Sequence, residues 1–255
     1  DVGMPRGGQM SATLLQQILG RLGIEPGAVR TALSRLTADG WLDRRREGRT
    51  SQYTLSKRGV AEFGPASALI YAPPNVDEPP DWTLGMGDPI TGAVPLQGGY
   101  WLYPGALPAG VRPDLAVTGR LTALTNTGRE RLLPAELGTA LDALYADLDG
   151  LLPSQLSAAD AMAARILLIH RWRRIVLRWP VLPHRLLARR HADPSPRTRV
   201  AEIYARLLAP SEHWLDGVVE HSGKTDPTLA RRFALRGWET AENGDPDNTH
   251  SVGAD

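Results

Sequence analysis

The stretch GIEPGAVRTALSRLTADGWLDRRREGRTSQYTLSKRG, residues 23–59, decides the fold of the chain. Its first part is predicted as a helix over residues 26–39. Pro26 is favourable in the first turn of a helix, because the N–H that proline lacks would have no partner there. Gly40 is typical of the position directly after a helix, where the backbone becomes left-handed. A short helix with a defined beginning and end is therefore predicted at the centre of this stretch.

The sequence on both sides of this helix predicts a compact unit. Residues 11–22 form a second predicted helix, because leucine and isoleucine recur there at helical spacing. Residues 41–46 and 50–55 are predicted as two strands joined by a tight turn at residues 47–49. Helix, turn, helix and hairpin in this order are typical of a winged helix-turn-helix. Residues 1–63 are therefore predicted to be a DNA-binding domain.

The predicted helix 26–39 presents one polar face to solvent. Its apolar side chains are assigned to the interior: Val29, Ala32, Leu33 and Leu36. Side chains four positions apart lie about 40° apart around a helix, so the outward residues form one continuous patch. The patch consists of Arg30, Thr31, Ser34 and Arg35. The hairpin adds four cations around its glycine turn: Arg44, Arg45, Arg46 and Arg49.

These eight residues are the candidate DNA-binding residues. Arginine reads guanine edges or clamps phosphate, and the hydroxyls of serine and threonine contact either. A helix with this face fits the major groove, and a basic hairpin beside it would reach the sugar-phosphate backbone. The alternative interpretation is a solvated helix face next to a charged surface hairpin.

Charge is unevenly distributed along the chain. The 255 residues carry 29 basic and 28 acidic side chains, for a net charge of +1, and include no cysteine. Residues 1–60 hold ten basic and five acidic side chains, whereas residues 161–192 hold eight arginines and no acid. A chain without cysteine has no disulfide framework and no cysteine nucleophile, and no apolar run reaches the roughly 18 residues of a membrane helix. A cytoplasmic location is therefore expected.

Beyond residue 63 the composition changes twice. Between residues 64 and 130, frequent proline and glycine exclude long helices, and a small β-containing middle domain is predicted. Residues 131–240 have a helical pattern and are predicted to be an all-helical C-terminal domain. Residues 241–255 are polar and acidic, which predicts a flexible tail. The expected fold class is α+β.

Individual elements are predicted within these two regions. The middle domain has short β runs at residues 68–71, 82–86, 100–103, 115–117 and 121–124. The C-terminal domain has a stripe of leucines at helical spacing, from Leu137 to Leu151, followed by a long helix over residues 155–179. A further helix is predicted over residues 197–221, broken or kinked at Pro210.

The chain resembles a known family, the PaaX-type transcriptional repressors. The run from Gly23 to Gly59 is similar to their N-terminal winged helix, and Pro5-Arg6-Gly7-Gly8 fits the segment before it. Residues 100–104 resemble the end of the family's ferredoxin-like middle domain, although residues 82–98 are short, as if one helix were lost. The C-terminal resemblance lies at residues 167–174, 180–183, 203–204 and 214–215.

This resemblance implies a function for each domain. The first domain would bind double-stranded operator DNA and repress genes of aromatic-acid, phenylacetate-type catabolism. An aryl-CoA thioester such as phenylacetyl-CoA would release the repressor, and the helical C-terminal domain would supply dimer contacts and part of the effector site. A homodimer is expected because one short helix reads few base pairs, and paired half-sites multiply that readout.

The arginine-rich zone of residues 161–192 is a candidate for the effector site. An acyl-CoA brings phosphates and a flat adenine, which match arginines and aromatic faces. The candidate effector-binding residues are His170, Arg171, Trp172, Arg174 and Arg178. Two alternatives remain: a packing or dimer surface paired with the acidic part of the chain, and a second contact to the DNA backbone. Trp172 in particular has the alternative of a core position.

No pattern in the sequence indicates catalysis. The six histidines lack the spacing of a metal site, and neither a nucleophile elbow nor a phosphate-binding loop is present. We therefore expect no catalytic residues, no metal and no cofactor. The rival hypothesis is an acyl-CoA-binding enzyme or sensor that retains the winged helix as an interaction module.

Overall fold

The computed structural model describes residues 2–73, 79–152, 155–179, 184–187 and 194–218. Helices and two antiparallel sheets form a mixed, α+β structure. The predicted tail 241–255 lies outside the described residues, as do Arg189 and Arg190 of the arginine-rich zone. No helix in the described part of the chain is long and apolar enough to cross a membrane.

The first unit combines three helices with a three-stranded sheet. Its elements are β1 (Gln9–Ser11), α1 (Ala12–Arg21), α2 (Pro26–Ala38), β2 (Leu42–Glu47), β3 (Thr50–Leu55) and α3 (Lys57–Ile70). The strand order is β1-β3-β2, so Tyr53 on the central strand faces both Met10 and Arg44. The Ser11 and Ser56 side chains accept hydrogen bonds from the first turns of α1 and α3. The two predicted helices and the hairpin are therefore confirmed as elements.

The strand predicted at residues 68–71 is wrong, because this segment is the end of α3. Ser56 caps a helix that continues to Ile70, and Ile70 and Tyr71 are both buried. A run of only four apolar residues fits one side of a helix as well as a strand, so periodicity could not separate the two. The helix also crosses the predicted domain boundary at residues 63–64.

The inner face of α2 is narrower than predicted. Val29 and Leu33 are buried, as expected, whereas Ala32 is exposed and Leu36 is 40% exposed. The helix packs against α1 and β2, and Val29 and Leu33 are its buried residues. The assignment of Ala32 and Leu36 to the interior is therefore corrected.

The second sheet contains four strands from the middle of the chain. They are β4 (Trp82–Met86), β5 (Val94–Pro95), β6 (Tyr100–Pro104) and β7 (Leu115–Gly119). All neighbours are antiparallel in the order β5-β6-β4-β7, and Trp101 lies over Gly85, where the indole leaves no room for a Cβ atom. The predicted runs 82–86, 100–103 and 115–117 are confirmed, whereas residues 121–124 form no strand.

The C-terminal half is helical. Its helices are α4 (Asn126–Leu132), α5 (Ala135–Leu151), α6 (Ala158–Val176), α7 (His184–Leu187) and α8 (Pro196–Val218). The predicted leucine stripe on α5 is buried from Leu137 to Leu148, whereas Leu151 is partly buried, and Pro210 lies inside α8 without ending it. The main core joins α5, α6 and α8 to the second sheet through Trp82 and Leu102, and to α3 through Ile70.

Candidate nucleic-acid interface and its attachment

The polar face of α2 is open to solvent. Arg30, Thr31, Ser34 and Arg35 are all exposed. The Thr31 hydroxyl donates to the carbonyl oxygen of Gly27 at 3.0 Å, so its oxygen remains available as an acceptor. The two guanidinium groups of the patch flank the two short hydroxyl side chains on one helix surface. This arrangement is chemically suited to base edges and phosphates.

The β2–β3 hairpin carries cations on both of its faces. All four predicted arginines, Arg44, Arg45, Arg46 and Arg49, are exposed. Because side chains alternate along a strand, Arg45 points to the opposite face from its two neighbours. Arg44 is held in place by the facing strand, since its Nε and terminal nitrogen donate to Ser51 Oγ at 3.0 and 2.8 Å. The hairpin therefore presents positive charge in two directions.

A group of contacts that the sequence did not predict fixes the end of α2. Arg58 donates to the carbonyl oxygen of Asp39 at 3.0 Å, and its guanidinium lies 4.0 Å from the centre of the Trp41 ring. The Ser56 hydroxyl donates to the carbonyl oxygen of Gly40 at 2.7 Å, and Ser56 N donates to the Trp41 carbonyl at 3.0 Å. The start of α3 thus holds the turn between α2 and the hairpin. Basic residues such as Arg58 carry no sequence signal that separates this structural role from DNA contact.

A buried charge cluster attaches the first unit to the C-terminal helices. Arg6 donates to Glu212 Oε2 from two nitrogens, at 2.6 and 3.0 Å, and to Asp216 Oδ1 at 2.6 Å. Arg165 on α6 donates to the other oxygen of Glu212 at 2.7 Å, and its guanidinium lies 5.7 Å from the centre of the Tyr204 ring. The side chains of Arg6, Arg165 and Glu212 are all buried. The Glu212 carboxylate therefore lies between two guanidinium groups from different parts of the chain.

Apolar and surface contacts complete this attachment. Leu14 and Ile18 of α1 pack with Met162 of α6 and Leu215 of α8 in a second, smaller core. At the rim of this core, an ion pair joins α1 to α6. The geometry fixes the position of α1, and through it α2, relative to the C-terminal half.

The rim ion pair joins Arg21 and Asp160, with a nitrogen–oxygen distance of 2.7 Å. The pKa of Asp160 is lowered from its ordinary value, chiefly by a hydrogen bond from the Ser157 hydroxyl and further by Arg21, against an opposing effect of burial. The Ser157 side chain also accepts from the Asp160 backbone nitrogen at 3.2 Å, as the cap of α6. Asp160 therefore serves both the beginning of α6 and the contact with α1.

The five candidate effector residues do not line one cavity. Trp172 is buried and donates from Nε1 to the carbonyl oxygen of Ile70 at 3.0 Å. Arg171 and Arg178 pair with carboxylates of α5, Asp147 and Glu136 respectively.

The two remaining candidates, His170 and Arg174, are exposed on α6. An open cavity of about 90 Å³ lies elsewhere, between the end of α5, the start of α6 and α8. Its lining consists of Leu151, Leu156, Ala161, Ile203, Arg206, Leu207 and Pro210. None of the five candidates belongs to this lining.

The sequence contains a signal for the ion pairs that Arg171 and Arg178 form with α5, because acidic residues recur on the polar side of the predicted leucine stripe. Among the described residues, no group of three or more His, Cys, Asp or Glu side chains could hold a metal ion.

Comparisons with known proteins agree with the resemblance seen in the sequence. A family model described as PaaX-like protein matches residues 1–59, and a model described as PaaX-like protein C-terminal domain matches residues 136–217. The chain is 30% identical over 238 residues to the Transcriptional repressor PaaX of Escherichia coli (strain K12), covering 79% of this chain and 75% of that relative. The chain belongs to the PaaX-like family. In this PaaX-like chain, Arg6 lies in the first matched region and Glu212 in the second, so the buried charge cluster joins the two.

A solved structure is also similar to this PaaX-like chain. It is the uncharacterized protein Rv0674 from Mycobacterium tuberculosis, with 19% sequence identity and a TM-score of 0.49. The match covers 82% of this chain and 91% of that structure.

Proposed function

We propose that this PaaX-like chain is a transcriptional repressor that binds double-stranded operator DNA, rather than an enzyme. The observation that carries the proposal is the exposed face of α2, with Arg30 and Arg35 around two hydroxyl side chains, next to a hairpin with exposed arginines. The 30% identical relative is named a transcriptional repressor, which supports the same function. Such a regulator would act in the cytoplasm, where its operator is.

The proposed DNA-binding domain, residues 1–63, is a winged helix-turn-helix. In this assignment α1 and α2 are the two helices of the motif, and the β2–β3 hairpin is the wing. The N-terminal part of α2 would enter the major groove, where arginine and hydroxyl side chains reach base edges. The arginines of the wing would neutralise phosphates beside the groove, which positions the protein but carries no sequence information.

The remaining regions are proposed as a reduced ferredoxin-like domain at residues 64–130 and a helical domain at residues 131–240. The strand order β5-β6-β4-β7 with antiparallel neighbours supports a ferredoxin-like sheet. No helix occurs in residues 87–93 or 105–114, where the crossover helices of that fold would lie. The domain would therefore be a version of the fold without its helical layer.

An aryl-CoA thioester such as phenylacetyl-CoA is the proposed effector that releases the operator. Release requires that the effector bind the DNA-incompetent arrangement more tightly than the DNA-bound one. Of the candidate residues on α6, His170 and Arg174 are exposed and could meet a ligand directly. Arg171 and Arg178 would first have to exchange their carboxylate partners on α5 for the phosphates of the ligand.

A DNA mobility-shift assay on the promoter region of the chain's own gene tests the proposal. We expect a shift that is lost at high salt and is abolished by one aryl-CoA in a panel of acyl-CoAs. Counterion release makes DNA affinity fall steeply with salt. Binding of an acyl-CoA without any sequence-specific DNA affinity would instead support the rival enzyme or sensor.

A further inference from the structure

Thr31 lies at the centre of the exposed face of α2. Successive residues of a helix turn by about 100°, so Thr31 lies about 180° from the middle of the buried stripe formed by Val29 and Leu33. On the same basis Ser34 and Arg35 lie about 60° and about 40° to either side of it. A helix that meets DNA with the side opposite its buried stripe therefore brings Thr31 nearest to the floor of the groove.

The residues one turn before Thr31 leave this approach open. Gly27 has no side chain and Ala28 has only a methyl group, and both residues are exposed. Beside Gly27 lies the end of the flexible Arg30 side chain, which can move aside for a base edge. The N-terminal half of α2, the part that recognition helices present to bases, can thus come close enough for a side chain as short as threonine to reach a base.

The hydroxyl of Thr31 has a fixed polarity. It donates its single proton to the carbonyl oxygen of Gly27 at 3.0 Å, so what it offers to a ligand is the acceptor capacity of its oxygen. Arg30 and Arg35 on the same helix carry donors and no acceptor. The exposed face of α2 therefore combines guanidinium donors with one central hydroxyl that is set to accept.

We propose that Thr31 is a specificity-determining residue, which accepts a hydrogen bond from the exocyclic amino group of an adenine or a cytosine in the major groove. The donors on the major-groove edges of bases are N6 of adenine and N4 of cytosine, whereas guanine and thymine present acceptors. Arg30 and Arg35 match guanine instead. This role rests on the proposed function and deepens it, because it names the base-edge chemistry that the same face selects.

The expected consequence is an operator position that admits adenine or cytosine and disfavours guanine and thymine. Opposite guanine or thymine, the Thr31 oxygen would face another acceptor unless the hydroxyl gave up its bond to Gly27. Loss of one such hydrogen bond corresponds to about a two- to tenfold loss of affinity. Because a homodimer is expected, the preference should recur once in each half-site.

Selection of bound duplexes from a randomised DNA pool, followed by sequencing, measures the preference at every position. Thr31→Val keeps the shape and removes the acceptor, so the preference at one position per half-site should flatten while the others persist. Thr31→Ser keeps the hydroxyl and should keep the preference. Thr37→Val is the matched control: its hydroxyl also donates to the carbonyl four residues earlier, that of Leu33, at 2.8 Å, but Thr37 is half-buried.

Modified bases test the same contact on the unchanged chain. In the selected operator, the adenine is replaced by purine, which lacks the 6-amino group, or the cytosine by 2-pyrimidinone, which lacks the 4-amino group. Either replacement should weaken binding by the wild type about two- to tenfold. The same duplex should bind Thr31→Val as well as the unmodified one does, and this comparison removes any effect of the replacement on base pairing.

A sequence preference that Thr31→Val leaves intact would overturn the role of Thr31 and leave the proposed function standing. So would a flattened position that had preferred guanine or thymine, or a modified base that weakens the wild type and Thr31→Val equally. A chain that binds duplex DNA without any sequence preference, or not at all, would overturn the role of Thr31 together with the proposed function.

Discussion

The carboxylate of Glu212 accepts a hydrogen bond from the guanidinium of Arg6 at 2.6 Å, although the two residues lie 206 positions apart. Both side chains are buried, and Arg165 donates to the other carboxylate oxygen. Burying a carboxylate is costly unless charge and hydrogen bonds compensate for the lost water. The two guanidinium groups supply that compensation, so the position of the first unit depends on α6 and α8.

We expect Glu212→Gln to lower the free energy of unfolding by about 3–5 kcal/mol, since it removes the carboxylate between two buried guanidinium groups and leaves Arg6 with its half-exposed partner Asp216. Arg6→Ala should cost less, about 1.5–3 kcal/mol, because Arg165 still compensates the carboxylate. Urea unfolding followed by circular dichroism measures both values. Asp216→Asn is the control: this half-exposed partner should contribute less than about 1 kcal/mol. Equal losses for Glu212→Gln and Asp216→Asn would contradict the role of the buried cluster.

Arg30→Ala and Arg35→Ala should each weaken operator binding by about 1–3 kcal/mol if the side chain contacts a base. The loss should be larger for the operator than for unrelated DNA, because base contacts carry specificity. Fluorescence anisotropy with labelled operator and a scrambled duplex measures both affinities. Arg112→Ala, at an exposed arginine in the loop before β7, is the control of equal charge. Unchanged operator affinity in both α2 variants would exclude the assigned reading face.

Arg45→Ala in the hairpin should affect DNA binding differently from the two substitutions in α2. If Arg45 contacts phosphate, its removal weakens binding to all sequences about equally and reduces the salt slope by about 1. The measurement is the dependence of operator affinity on salt concentration. A change that is confined to one operator sequence, with an unchanged slope, would assign Arg45 to base recognition instead.

Arg58→Ala is expected to reduce operator affinity by loosening the turn that ends α2. Arg58 bonds the Asp39 carbonyl and stacks on Trp41, so its effect should come through the position of α2. The salt slope should then stay at the wild-type value while affinity falls. A slope reduced by about 1 would show that Arg58 contacts phosphate itself.

The hydrogen bond from Ser157 and the contact with Arg21 should make the contribution of Asp160 to stability depend on acid pH. The pKa of Asp160 is lowered in the folded chain, so the carboxylate stabilises the fold above its ordinary pKa of about 4 and loses this contribution as pH falls through the folded value. Unfolding of Asp160→Asn compared with the wild type should thus show a difference at pH 7 that shrinks below about pH 4. A difference that grows on acidification would contradict the sign.

Local patterns in the sequence predicted much of the fold. Pro26 and Gly40 delimit α2, and four of the five leucines of the stripe on α5 are buried as the spacing indicated. The strand predicted at residues 68–71 is wrong, because a run of four apolar residues fits the period of a helix as well as that of a strand. The exposure of Leu36 depends on which elements pack against α2, which no local pattern contains.

In the candidate site, too, local patterns predict some features, whereas others depend on tertiary packing. The exposed cations of α2 and the hairpin follow from helical and strand periodicity. The partners of Arg6 and Trp172 do not, because each contact joins residues more than 100 positions apart. Pairings of this kind depend on tertiary packing, and a single sequence carries no periodic signal for them.

The link between Arg6 and Glu212 also limits how PaaX-like chains can be recombined. A chimera that takes its DNA-binding unit from one relative and its helical half from another would bring together two surfaces that were selected separately. Arg6, Leu14 and Ile18 would then face whatever residues the new α6 and α8 supply. Exchange of operator specificity between relatives should therefore succeed when α2 and the hairpin are transplanted alone, and fail when the graft begins at the Pro5-Arg6-Gly7-Gly8 segment.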